Sequence, residues 1–144
     1  MCGRKLASNV KYTDVLFIVN NMNVLHDFLF REILRAPKPG GEVVIADVMK
    51  GSPVAHFLDE FVDRNTVDGH KGHYLASETL DSFREAQFQV RSQQYVGYPW
   101  VFTGAKTVVD YCRKLSGLSA TDDAILTALD TTLGIQEGPS SCFF

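Results

Sequence analysis

Residues 14–48 read DVLFIVNNMNVLHDFLFREILRAPKPGGEVVIADV. Val15 to Val19 is apolar at every position and stops at Asn20-Asn21. A strand buried on one face alternates apolar and polar residues. An unbroken apolar run suits a strand covered on both faces, as in a parallel sheet between helices. Over 23–36, Leu25, Phe28, Leu29 and Ile33 recur at spacings of three and four, which makes one helical stripe. Pro37 and Pro39 forbid its continuation, and Gly40-Gly41 supply a tight turn. A second apolar run, Val43 to Ala46, ends at Asp47. Strand, helix, turn and strand make one βαβ unit with a right-handed crossover. In open α/β sheets, ligands bind just beyond the carboxyl ends of the strands. Asn20, Asn21 and Asp47 stand there.

Only 13 residues precede Asp14, against the ~30 of a further βαβ unit. They hold one glycine, Gly3, and no acidic residue, so 1–13 reads as a loose lead-in. The 15–19 strand is then expected to lack a neighbour on one side. An apolar strand with unpaired backbone groups recruits other strands. A homodimer, a partner chain, or the chain's own Leu6–Tyr12 could cover that edge.

Residues 53–68 carry a further helical stripe, Val54, Phe57, Leu58, Phe61 and Val62. A glycine-punctuated loop, GHKGHYLA, spans 69–76. Ser77 then reads as an N-cap with Glu78 in the first turn of a helix over 77–87. The segment 88–96 alternates at Phe88 and Val90, which predicts a half-exposed strand. Tyr98-Pro99-Trp100-Val101-Phe102 is a candidate partner strand or a packed aromatic loop, and Pro99 keeps it to an edge or a strand start. Two helices close the chain. One covers 105–116 with Val108, Val109, Cys112 and Leu115, ending near Gly117. The other covers 121–133 with Ile125, Leu126, Leu129 and Leu133, ending at Gly134. The Gly/Pro/Ser-rich stretch 136–144 reads as a flexible tail.

The net charge of −3 and the absence of a basic stripe argue against a nucleic-acid or acidic-membrane partner. No apolar run approaches the ~20 residues of a membrane span. The N-terminus has no apolar h-region, so a secretory signal is not expected. Cys2, Cys112 and Cys142 are odd in number and widely spaced, which suits reduced thiols in a cytoplasmic protein rather than a zinc site.

The stretch resembles the second half of a class I S-adenosylmethionine-dependent methyltransferase. The resemblance rests on Asp14-Val15 opening a strand, on Asn20 through Leu25-His26-Asp27 after it, and on Lys38-Pro39-Gly40-Gly41 before the strand that ends at Asp47. Gly69-His70-Lys71-Gly72-His73 followed by Ser77-Glu78-Thr79-Leu80, and Ala86-Gln87-Phe88 where the family usually has Ala-Gly-Phe, extend it over roughly 14–102. It implies an α/β fold: a partial Rossmann-like sheet of about four strands, mixed in direction and flanked by helices, with two extra C-terminal helices. The implied divisions are a methyltransferase-like half-domain at 14–104, a helical pair at 105–135 and the tail at 136–144.

The implied cofactor is S-adenosylmethionine and the implied partner a small-molecule methyl acceptor. The glycine-rich turn and the acidic strand end that usually hold this cofactor belong to the family's first half, which cannot fit in 1–13. The expected protein is therefore a truncated or split member, inactive as an isolated chain. The alternative is a non-catalytic module that binds a partner through its exposed sheet edge. Ala36-Pro37 replaces a common Val-Leu, and Gln87 replaces a glycine that tolerates φ > 0.

The implied site residues follow. Asn20, Asn21, Met22 and Leu25 would line the cofactor pocket, although Asn is also a favoured helix cap. His26 is the acid/base candidate by residue type, beside Asp27, yet adjacent helix residues diverge by about 100° and form no dyad alone. Its other reading is a partly buried histidine in the helix's first turn. Asp47 would face the substrate or cap the turn after its strand. His70, His73 and Tyr74 would form a lid, with Gly72 giving the backbone freedom. Two histidines lack a third metal ligand at a readable spacing. Trp100, with Tyr98 and Phe102, reads as packing before it reads as a stacking platform.

Overall fold

The structure, a computed structural model, describes residues 13–19, 37–97, 99–138 and 141–143. Strand β1 (Thr13–Val19) pairs in parallel with β2 (Pro37–Ala46). Val15 to Val19 run in unbroken register against Glu42 to Ala46. Thr13 pairs with Pro37, so Lys38–Gly41 is taken up as an irregularity at the start of β2, where Gly40 has φ +80°. The turn read from Lys-Pro-Gly-Gly is thus built into the strand entry. The helix expected over 23–36, and with it Asn20, Asn21, Met22, Leu25 and His26, lies outside the described residues.

Two expectations about the sheet are corrected. β2 is not covered on both faces among the described residues. Val43 and Ile45 are half-buried, while Glu42, Val44 and Ala46 are exposed, with Val44 at 42%. Nor do the described residues form one four-stranded mixed sheet. The parallel pair stands apart from a three-stranded antiparallel sheet in the order β3-β5-β4, made of β3 (Val101–Phe102), β4 (Gln136–Gly138) and β5 (Ser141–Phe143). The architecture is mixed α/β, and the stretch read as a tail carries two of its strands.

The apolar centre is built from helices. Helix α1 starts as an α-turn over Pro53–His56, continues as a π-helical stretch over Phe57–Val62 and ends as an α-turn over Asp63–Asn65. Ser52 caps it, its hydroxyl accepting from the Ala55 amide at 3.2 Å, and Pro53 fills the first position, where no amide is needed. The wider π turn brings Phe57 and Val62, five residues apart, onto the same buried face, and leaves Val54 of the expected stripe exposed. Helices α3 (Ala105–Ser116) and α4 (Asp122–Leu133) follow the glycine ends and most of the stripes read from the sequence, but Leu115 of the α3 stripe is exposed, at 64%. Thr121 caps α4 by accepting from the Ala124 amide at 3.3 Å.

Phe57, Val62, Val108, Val109, Cys112, Leu118, Ile125 and Leu129 form one buried cluster across α1, α3 and α4. Burial pushes the Cys112 thiol up, which disfavours the reactive thiolate. The α3–α4 turn is locked polar to polar. The Arg113 guanidinium donates to the Ala120 carbonyl at 2.7 Å and pairs with Asp122 at 2.9 Å, and the Ser119 amide donates to the Asn65 carbonyl at 2.9 Å.

Helix α2 (Ser77–Glu85) begins one residue earlier than read. Ala76 holds the N-cap position and donates its amide to the Thr79 hydroxyl at 3.2 Å, so Ser77 is inside the helix. The far end closes on Gln87, at φ +67°. The Gln87 amide returns to the Arg84 carbonyl and the Phe88 amide to the Phe83 carbonyl, both at 2.9 Å. That is the left-handed stop that usually carries glycine. The strand expected over 88–96 is absent. Residues 88–97 are irregular and, Phe88 apart, exposed. Phe88 turns back edge-on to Phe83 at 5.7 Å, and Arg91 reaches Glu42 of β2 in an exposed ion pair. With its first apolar residue folded onto α2, the segment has no alternating face left to pair.

Candidate functional site

The polar end of an open cleft lies where the chain leaves β2. Asp47 Oδ1 accepts from the Val48 amide at 2.7 Å, the turn-capping role open to it from sequence. Two residues on, the chain is stitched to the end of the glycine loop. The Leu75 amide donates to the Val48 carbonyl and the Lys50 amide to the Leu75 carbonyl, both at 2.9 Å, making a parallel bridge between Met49 and Leu75. This seam holds the loop at the carboxyl end of β2.

The same loop is fastened to α1. The Tyr74 hydroxyl donates to Asp59 Oδ1 at 2.6 Å, with the Ala55 carbonyl at 3.4 Å. The His70 amide donates to Asp63 Oδ1 at 2.7 Å. His70 Nδ1 stands 3.8 Å from Asp59 Oδ1, beyond hydrogen-bond length, and is buried without a hydrogen-bond partner. The His70 and Tyr74 rings lie near-parallel at 6.4 Å. Gly69, at φ +68°, brings its backbone against Asp63, and a Cβ there would stand 2.8 Å from that carboxylate.

Tyr74 carries the one large perturbation of the group. Burial, the hydrogen bond to Asp59 and the negative charges of Asp59 and Asp47 all disfavour a phenolate, so its pKa is raised well above the ordinary 10.0. Tyr74 is therefore a hydrogen-bond donor held neutral between two carboxylates, not a base.

Of the residues expected at the site, Asp47, His70 and Tyr74 come together and His73 lies beside them on the exposed side of the loop. Asn20, Asn21, Met22, Leu25 and His26 fall outside the described residues. Asp59 and Asp63 were missed. They are four apart on α1, a spacing that reads as a solvated helix face, and only the loop folding back onto them gives them a role. Further from the polar end the cleft walls are aromatic. Phe83, Phe88, Trp100 and Tyr111 line it, and Trp100 meets Tyr111 edge-on at 5.3 Å.

No group of three or more His, Cys, Asp or Glu suited to a metal ion occurs among the described residues. The described residues do not include the glycine-rich turn or the acidic strand end that the resemblance implies for the cofactor. No helix among the described residues is long and apolar enough to cross a membrane. No protein-family model, curated protein or solved structure matches this chain.

Proposed function

We propose that this chain is the acceptor-side half of an S-adenosylmethionine-dependent methyltransferase-type site. A second polypeptide segment completes it, and only the completed site transfers a methyl group to a small molecule. The observation that carries this reading is the register-matched parallel pair β1–β2 with Asp47, Tyr74, Asp59 and His70 gathered at its carboxyl end. Ligands of open α/β sheets bind at that end. The sequence resemblance over roughly 14–102 supplies the chemical class. On this reading Asn20, Asn21, Met22 and Leu25 flank the cofactor, His26 and Asp47 face the acceptor, and His70, His73 and Tyr74 cover it. Methyl transfer from a sulfonium asks mainly for alignment of the two partners, so a half-site has little activity of its own.

Isothermal titration of the chain with S-adenosylmethionine and S-adenosylhomocysteine tests the reading. Saturable binding of either at up to millimolar ligand supports it. Silence up to millimolar ligand sinks it in favour of the second reading, a non-catalytic module that docks a partner strand. That alternative draws on the sheet edge of β1, which among the described residues pairs on one side only, with β2. Light scattering across a concentration series reads it directly, as a dimer or a complex.

A further inference from the structure

We propose that residues 69–76 form a strap which Asp59 fastens across the carboxyl end of β2, and that this strap opens as a single unit to admit ligand. It deepens the function proposed above by naming what controls entry to that site. The opening itself needs no methyl donor, and its test is independent of that reading.

Three fastenings hold the strap. At its start the His70 amide is bound by Asp63, in its second half the Tyr74 hydroxyl is bound by Asp59, and beyond it the Leu75 backbone is sewn to Val48 and Lys50. The first two anchors sit on one helix four residues apart, and the third on the exit of β2. Apart from the single bridge at Leu75, no residue of the strap belongs to a helix or strand. Its attachment is therefore by separate bonds such as these and not by a ladder.

Two features keep the closed form only marginally held. Asp59 Oδ1 accepts from Tyr74 at 2.6 Å and stands 3.8 Å from His70 Nδ1, too far to bond it, so that nitrogen is buried with no partner. A buried polar atom without a hydrogen bond is costly, and opening returns it to water. Asp59 also sits within the π-helical stretch of α1, Phe57–Val62, a helix form that concentrates at functional positions. Closed, the strap is bridged to the strand exit just beyond Asp47. Open, it frees the Asp59 carboxylate from Tyr74 and brings the His70 imidazole into solvent near Asp47, and these three groups would meet an acceptor.

Native-state amide hydrogen exchange at constant pH tests this on the ligand-free chain, because local opening units exchange with a common rate factor. In Tyr74→Phe the amides of His70, Leu75 and Lys50 are expected to exchange about tenfold faster, the loss of one charge-assisted hydrogen bond. Asp59→Asn, which keeps an acceptor but removes its charge, is expected to give a smaller common acceleration. Lys71→Ala, on the exposed side of the strap, is expected to leave the three rates unchanged. The amides of Ile125 and Leu129 in α4 report the core and should hold in every variant. The proposal is overturned if the three amides respond by different factors, if neither variant moves them, or if Ile125 and Leu129 accelerate with them. Failure here leaves the titration with S-adenosylmethionine intact, and failure of that titration leaves the strap intact.

Discussion

The backbone of Gly72 passes beneath the ring of Tyr74, so close that a methyl group on Gly72 would overlap the phenol carbon and its hydroxyl. That carbon is held in place by the 2.6 Å bond to Asp59 and cannot swing away without breaking it. Glycine at 72 thus serves contact and not a special backbone angle, since its φ is not in the left-handed range. Gly72→Ala is expected to cost about 1–3 kcal/mol, the range of an overpacked site. Most of that cost should vanish when the change is made in Tyr74→Phe, where the ring is free to shift. A double-mutant cycle in urea measures the coupling.

Tyr74 also predicts a dependence on alkaline pH. Its pKa is raised in the folded chain above the unfolded value of 10.0. The unfolded chain therefore loses its proton first as pH rises. The stabilisation is complete below pH 10, declines above it, and is gone once the pH passes the folded value. Spectrophotometric titration of the phenolate band should show a late step well above the ordinary tyrosine value. The late step should be missing in Tyr74→Phe. Urea midpoints of the parent chain should fall between neutral pH and pH values above 10 more steeply than those of the variant.

Gln87 stands at φ +67°, the only non-glycine residue with positive φ among those described. A Cβ in this region costs about 1–2 kcal/mol, and glycine gives back part of that gain through its freer unfolded chain. Gln87→Gly is expected to stabilise the protein by about 0.5–1 kcal/mol, read as a higher urea midpoint with an unchanged slope. Gln87→Ala keeps the Cβ and should gain nothing.

The location of the core sets a contrast between two aliphatic positions. Leu129 is 1% exposed within the α1–α3–α4 cluster, whereas Val44 on β2 is 42% exposed. Leu129→Ala should cost about 2–5 kcal/mol. Val44→Ala should cost under about 1 kcal/mol in the isolated chain. Urea unfolding of the two variants decides it. Equal losses would mean that β2 is covered on both faces in solution.

The parts legible in the sequence were those fixed by local pattern. Val15–Val19 and Val43–Ala46 could not be polar-faced strands, and they pair in parallel as expected. Gly117 and Gly134 end α3 and α4 where their stripes run out. The departure of Gln87 from a usual glycine was legible too, and its positive φ explains why glycine is favoured there. What depended on distant partners was not legible. The 88–96 strand fails because Phe88 is claimed by Phe83. The strands Gln136–Gly138 and Ser141–Phe143 come from a segment whose composition suggests none; they pair with each other, and Ser141–Phe143 also pairs with Val101–Phe102, about forty residues earlier. The π turn of α1 has no local signature, and without it Phe57 and Val62 would not share a face. Asp59 and Asp63 became part of the site only through the returning loop.

Among the described side chains, the eight buried in the helical cluster include none from β2. The helices are therefore a foundation, and β2 is a guest on it. Helices α1, α3 and α4 can keep their shape while the sheet beside them changes neighbours, grows at its rim or is rebuilt around a new ligand.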